Sequence, residues 1–108
     1  MIFIKHKFKK RSKYNAKKTV RDGIKFASIK EANYYDQLKL RKQAGEIIFF
    51  LMQVPFHLPG NIIYRVDFQE FHADETVHFV DVKGYETKEF IIKKKQVEDL
   101  YPVIIEIV

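Results

Sequence analysis

The sequence predicts a single α/β (α+β) domain of αβββαβ order, with a mixed central sheet flanked by helices. Three observations carry that expectation. A capped, amphipathic helical stretch comes early. Three β-rich stretches follow, separated by turn signals. A second helical stretch then leads into a last apolar strand, and a strand reached through a helical crossover implies parallel pairing within the sheet. A length of 108 residues fits one domain, and 46% apolar residues suffice for a core rather than a disordered chain.

The elements follow in order. "DGIKFAS", residues 22–28, reads as a turn, an extended piece and a helix start. Ser28 is a good N-cap, and Glu31 three residues on completes a capping box. The helix is expected to reach about Ala44 and stop at Gly45, with Ala32, Tyr35 and Leu38 on its inner stripe. "EIIFFLMQVPF" is a continuous apolar run, read as a central strand ending near Pro55. After the turn "HLPG", Ile62, Tyr64, Val66 and Phe68 alternate with Ile63, Arg65, Asp67 and Gln69. "HADET" is a polar turn, and "VHFVDVKG" a third strand with Phe79, Asp81 and Lys83 on one face. In "ETKEFIIKKKQVEDLY", Phe90, Lys94, Val97 and Tyr101 recur at helical spacing with Ile91 alongside, Pro102 ends the helix, and "VIIEIV" is a last buried strand.

Charge divides the chain unevenly. Nine of the 20 bases, and none of the 14 acids, lie before Asp22. Residues 1–21 therefore read as a flexible basic arm, with 22–108 as the folded domain. Lys9, Lys10, Arg11, Lys13, Lys17 and Lys18 interleave with Phe8 and Tyr14, a pattern suited to lying along phosphates. The plainer reading is a solvated terminus. The net charge of +6 points to an anionic partner. Apolar positions in the arm lack helical spacing, which disfavours a membrane helix, and no run is long enough to span a bilayer. The absence of cysteine excludes disulfides and thiolate metal sites and fits a reducing, intracellular setting.

The chemistry sits on the two middle strands. If their hairpin centres on Asp74, residue i faces residue 148 minus i, so Asp67 faces Asp81 with Cβ atoms ~5 Å apart. Lys83 follows on the same side. Two carboxylates that close need a proton or a cation between them. Oxygen ligands favour Mg²⁺, with Mn²⁺ able to substitute. Glu31 shares a helix face with Tyr35 and Leu38 and is a candidate third carboxylate, although it could equally serve only the capping box. Asp81 and Lys83 could form a same-face salt bridge worth only ~0.2–1 kcal/mol if exposed, which accounts poorly for their place in so apolar a strand. Gln53 either contacts the site or satisfies a backbone group. Thr87, Lys88 and Lys94 are candidate phosphate contacts, though lysines along a helix commonly form its wet face. None of the four histidines has ligand spacing.

Asp67 followed by Asp81-Val82-Lys83, with an upstream helical glutamate, resembles the signature of the PD-(D/E)xK nuclease superfamily. "KYNAKKTVRDGIKFASIKEANYY", "GEI", Gln53-Val54-Pro55, "VDF" and "VDVKG" together resemble a family of short phage-borne proteins. That family is described as uncharacterised, or as Holliday-junction resolvases and recombination endonucleases. The resemblance covers nearly all of the chain from Lys13 onward. It implies a restriction-endonuclease-like core, metal ligation by Asp67, Asp81 and the Val82 carbonyl, Lys83 as catalytic lysine, and Glu31 as the helical acid of the resolvase branch. Where many members carry Glu, this chain has Asp81, which the pattern allows. The expected activity is Mg²⁺-dependent cleavage of branched DNA, such as a four-way junction, in the bacterial cytoplasm. Two symmetric cuts imply a C2 homodimer. The alternatives are another nuclease of the superfamily, acting on flaps, single strands or duplex, and a DNA-binding module without catalysis.

Overall fold

The computed structural model describes residues 19–108. Two short strands, β1 (Thr19–Arg21) and β2 (Ile24–Phe26), precede α1 (Ile29–Gln43). Then come β3 (Ile47–Leu58), β4 (Ile62–His72), β5 (Val77–Asp81), α2 (Lys88–Leu100) and β6 (Ile105–Ile107). From α1 onward this is the αβββαβ order, in one α+β domain. Strands β3 to β6 form a mixed sheet in the order β3-β4-β5-β6, and only the β5–β6 pair, joined through α2, is parallel.

Both helices begin as their sequences dictate. Ser28 Oγ accepts the N–H of Glu31 at 3.1 Å, and Thr87 Oγ1 accepts that of Phe90 at 3.1 Å. At the end of α1, Gly45 takes φ +81°, a conformation that costs glycine little, and Glu46 N–H returns to Arg41 O at 3.0 Å. The predicted stripe of Ala32, Tyr35 and Leu38 is buried, with Glu31 beside it.

Two apolar clusters share one long hairpin. Phe26, Ala32, Tyr35, Leu38, Phe68 and Val80 gather under α1, joined by Phe50 and Met52. Phe56, Leu58, Tyr64, Val66, Phe90 and Val97 gather under α2, joined by Val54. Along β3 the first cluster ends at Met52 and the second begins at Val54. Along β4 the change falls between Phe68 and Val66. Gln53 and Asp67 therefore occupy the crossing point.

Several expectations need correction. Strand β3 is at the sheet edge, not its centre, and it runs through Pro55 to Leu58. An edge position tolerates a residue with no N–H to give, and it leaves Phe49 and Leu51 exposed. The last strand lies at the other edge, where Ile105 is buried but Ile104 is exposed. Helix α2 buries Phe90 and Val97, while Ile91 turns outward. Strand β1 takes in Thr19–Arg21 from the expected arm. Arg21 Nε reaches Asp36 Oδ2 at 2.9 Å, and Asp22 accepts the Tyr35 hydroxyl at 2.8 Å, so the small hairpin is fastened to α1. The rest of the arm, including Lys9, Lys10, Arg11, Lys13, Lys17 and Lys18, lies outside the described residues.

Leu38 is fully buried and Leu40, two residues on, is 63% exposed. Leu38→Ala should cost about 2–5 kcal/mol in urea unfolding, whereas Leu40→Ala should stay within about 0.5 kcal/mol.

Candidate active site

The hairpin turn sets the site. Asp74 Oδ1 accepts the Thr76 N–H at 3.0 Å, and Glu75 takes φ +72°. The pairing that follows is Phe71 with Val77, Glu70 with His78, Gln69 with Phe79 and Phe68 with Val80. This is the register expected for a turn centred on Asp74, and it brings Asp67 against Asp81.

At that rung the side chains take over from the backbone ladder. Asp67 N–H donates to Asp81 Oδ1 at 2.8 Å, and Val82 N–H donates to Asp67 Oδ2 at 3.0 Å. Each carboxylate thus accepts an N–H from the opposite chain segment. Both are nearly inaccessible, 4% for Asp67 and 2% for Asp81. Burial pushes the Asp81 carboxyl above the usual aspartate range, against the opposing pull of the Asp67 N–H and the Lys83 charge. Beyond the rung, Lys83 N–H donates to Val108 O at 3.1 Å and Val108 N–H to Asp81 O at 3.0 Å. The Asp81–Lys83 segment is therefore held from both sides.

Gln53 approaches from β3, where its amide donates to Asp67 Oδ1 at 3.2 Å. Its φ of +55° is left-handed, a conformation that costs a non-glycine residue roughly 1–3 kcal/mol. Lys83 extends over the Phe90 ring, its Nζ 4.7 Å from the centroid, and Lys30 Nζ donates to the Lys83 carbonyl at 3.0 Å. Glu31 on α1 is 3% exposed. Burial first, and then the Asp67 charge, push its carboxyl from 4.5 up to about 7, with Lys83 opposing. Glu31, Asp67, Asp81, Lys83 and Gln53 thus form one electrostatically linked group. Val82 sits within it, buried, between Asp81 and Lys83.

The group opens onto a cleft of about 390 Å³. Gln53, Tyr64, Arg65, Asp67, Lys83 and Phe90 line it. Thr87, the cap of α2, also lines it. Lys88 is exposed in the first turn of α2. Lys94 is engaged with Glu98 at 3.2 Å, and Glu98 in turn accepts the Ile105 N–H at 2.8 Å, so this lysine braces β6.

The all-oxygen donors of Glu31, Asp67 and Asp81 suit a hard divalent cation. Positive charge at the site would offset the burial that raises Glu31 and Asp81. Among the described residues no three or more such side chains are already converged as a metal-binding group.

A fourth buried acid escapes the sequence reading. Glu70, 2% exposed, accepts the Tyr34 hydroxyl at 2.5 Å, lies 2.8 Å from His72 Nε2 and 3.7 Å from Arg41 Nη1. The available signal was its position: Glu70 continues the alternating apolar face of Tyr64, Val66 and Phe68, where an acid needs partners. Its carboxylate is satisfied within that network.

Fold and site define a small α+β protein with two interlocked buried acids and a lysine at the mouth of a cleft. The chain belongs to the family described as "Protein of unknown function (DUF1064)", whose model matches residues 11–106. No curated protein and no solved structure matches it. No helix among the described residues is long and apolar enough to cross a membrane.

The native state keeps the Glu31 proton up to about pH 7, whereas an unfolded chain releases it near 4.5. The stabilisation this gives is complete below the lower value and is lost as pH rises through the higher. Folding stability measured by urea titration without divalent metal should therefore fall between pH 5 and 8, by on the order of 2–3 kcal/mol from this group. Glu31→Gln should flatten that slope and be the more stable protein at pH 8.

Proposed function

We propose that this chain is a Mg²⁺-dependent endodeoxyribonuclease of the PD-(D/E)xK type, acting on branched DNA as a phage Holliday-junction resolvase in the cytoplasm of a bacterial host. One observation carries the reading. Asp67 and Asp81 are buried together on one rung, each fixed by an N–H from the opposite segment, with Lys83 beside them at an open cleft. The choice of branched DNA, and of a homodimer making two cuts, rests on the sequence resemblance.

Asp67 and Asp81, with the Val82 carbonyl and Glu31, would hold the ion. When bound, Mg²⁺ would coordinate a non-bridging phosphate oxygen and lower the pKa of an attacking water. The protein's own contribution is preorganisation. Gln53 and the Val82 N–H fix the two oxygens of Asp67, and the Asp67 N–H fixes Asp81. The Lys83 ammonium supplies positive charge where negative charge grows in the pentavalent transition state, and can orient the water. The basic arm adds salt-dependent, sequence-independent affinity.

A second reading has its own support. The same N–H contacts would complete a sheet around two structural acids, leaving a DNA-binding module. Cleavage separates the two. With a labelled immobile four-way junction and Mg²⁺ or Mn²⁺, paired symmetric nicks are expected from the wild type and none from Asp81→Ala. Equal cutting of a linear duplex of the same sequence would retain the nuclease and remove the junction preference. Tight binding with no cutting in either metal would leave the binding module.

Metal binding has an independent readout. Added Mg²⁺ should raise the thermal midpoint of the wild type, because a ligand of the native state stabilises it by mass action. The rise should be lost in Asp81→Asn, and an equal rise in both proteins would place the ion elsewhere.

A further inference from the structure

We propose that the part of the cleft formed by Tyr64, Arg65 and the first turn of α2 is a phosphate subsite, which holds the phosphodiester next to the one being cut. The inference rests on the nuclease reading and adds residues to it.

The cleft wall leads away from the acids in successive contacts. Lys83 Nζ lies 4.7 Å from the Phe90 ring centre, and the Phe90 ring lies 6.1 Å from that of Tyr64. Tyr64 is 6% exposed, and its hydroxyl is buried with no hydrogen-bond partner. Buried hydroxyls nearly always find one. A phosphate oxygen in the cleft would be an acceptor for this donor. Arg65, next in the chain, is exposed and also lines the cleft, and its guanidinium makes no ion pair or hydrogen bond among the described residues. A guanidinium fork matches two phosphate oxygens. The first turn of α2 lines the same space through Thr87, Glu89 and Phe90, and brings the positive end of the helix dipole.

The charge balance agrees. Arg65, Lys83 and Lys93 line the cleft against two carboxylates, Asp67 and Glu89. Asp67 belongs to the catalytic group, and Glu89 is held by Lys93 at 2.7 Å. Arg65 is thus the cation left to meet an anion beyond the scissile position, and Glu89 restrains a second.

The test is fluorescence anisotropy of the full-length protein on a labelled four-way junction across a salt series, with Ca²⁺ in place of Mg²⁺, beside the cleavage assay. Arg65→Ala should bind about tenfold more weakly, with a salt slope shallower by about one. Tyr64→Phe should bind roughly three- to tenfold more weakly without a lower thermal midpoint, because it removes an unpaired buried oxygen. Glu89→Gln should bind more tightly, a gain that misfolding cannot imitate. Wild-type affinity and slope in both Arg65→Ala and Tyr64→Phe would overturn the subsite, while wild-type cleavage would leave the nuclease standing. A wild type that neither binds nor cuts DNA would overturn both.

Discussion

Everything at the site depends on two carboxylates exchanging places with a sheet ladder. At the rung after Phe68–Val80, the Asp67 and Val82 N–H groups go to aspartate oxygens. Buried acids cost free energy unless hydrogen-bonded, and bonds to charged acceptors are among the stronger ones available. The arrangement satisfies the backbone and the acids together. It also places the Asp67 charge where α1 brings Glu31 close. Burial first, and the Asp67 charge second, raise the proton affinity of Glu31.

The hairpin accommodates this at the boundary between its two apolar clusters. Gln53 takes a left-handed conformation there and turns its amide to Asp67. Packing on either side is extensive: Phe50 and Met52 belong to the α1 cluster, Val54 and Phe56 to the α2 cluster. Rigid layers on both flanks can sustain a strained residue between them. The acids thus gain a fixed geometry from cores that they do not enter.

Much of this was legible in the chain. Ser28 and Glu31 announced the helix start, and Gly45 its end. The polar turn around Asp74 set a register that brings Asp67 to Asp81, because a strand's side chains alternate with period two. What escaped depends on tertiary context. An apolar run cannot reveal whether it lies inside a sheet or at its rim, so β3 read as central. Thr19–Arg21 carry no strong pattern, and their pairing depends on Arg21 meeting Asp36 and Asp22 meeting Tyr35. The Glu70 network needs Tyr34 and Arg41 from α1, partners far away in sequence. At the candidate site the acids and lysine were readable, but the left-handed Gln53 and the unpartnered Tyr64 hydroxyl were not, since both come from packing.

Pro55 has an effect beyond tolerance of its position. An outer strand is a template on which any extended chain can add itself through backbone hydrogen bonds. Proline interrupts such a template by removing a donor. On β3 it divides the rim in two. The segment toward the Pro59–Asn61 turn is shielded from strand addition. The segment holding Ile48, Phe49 and Leu51, all exposed, remains the stickier half. Self-assembly through strand addition, ordered or not, would therefore start at the end nearer α1 and stop at Pro55.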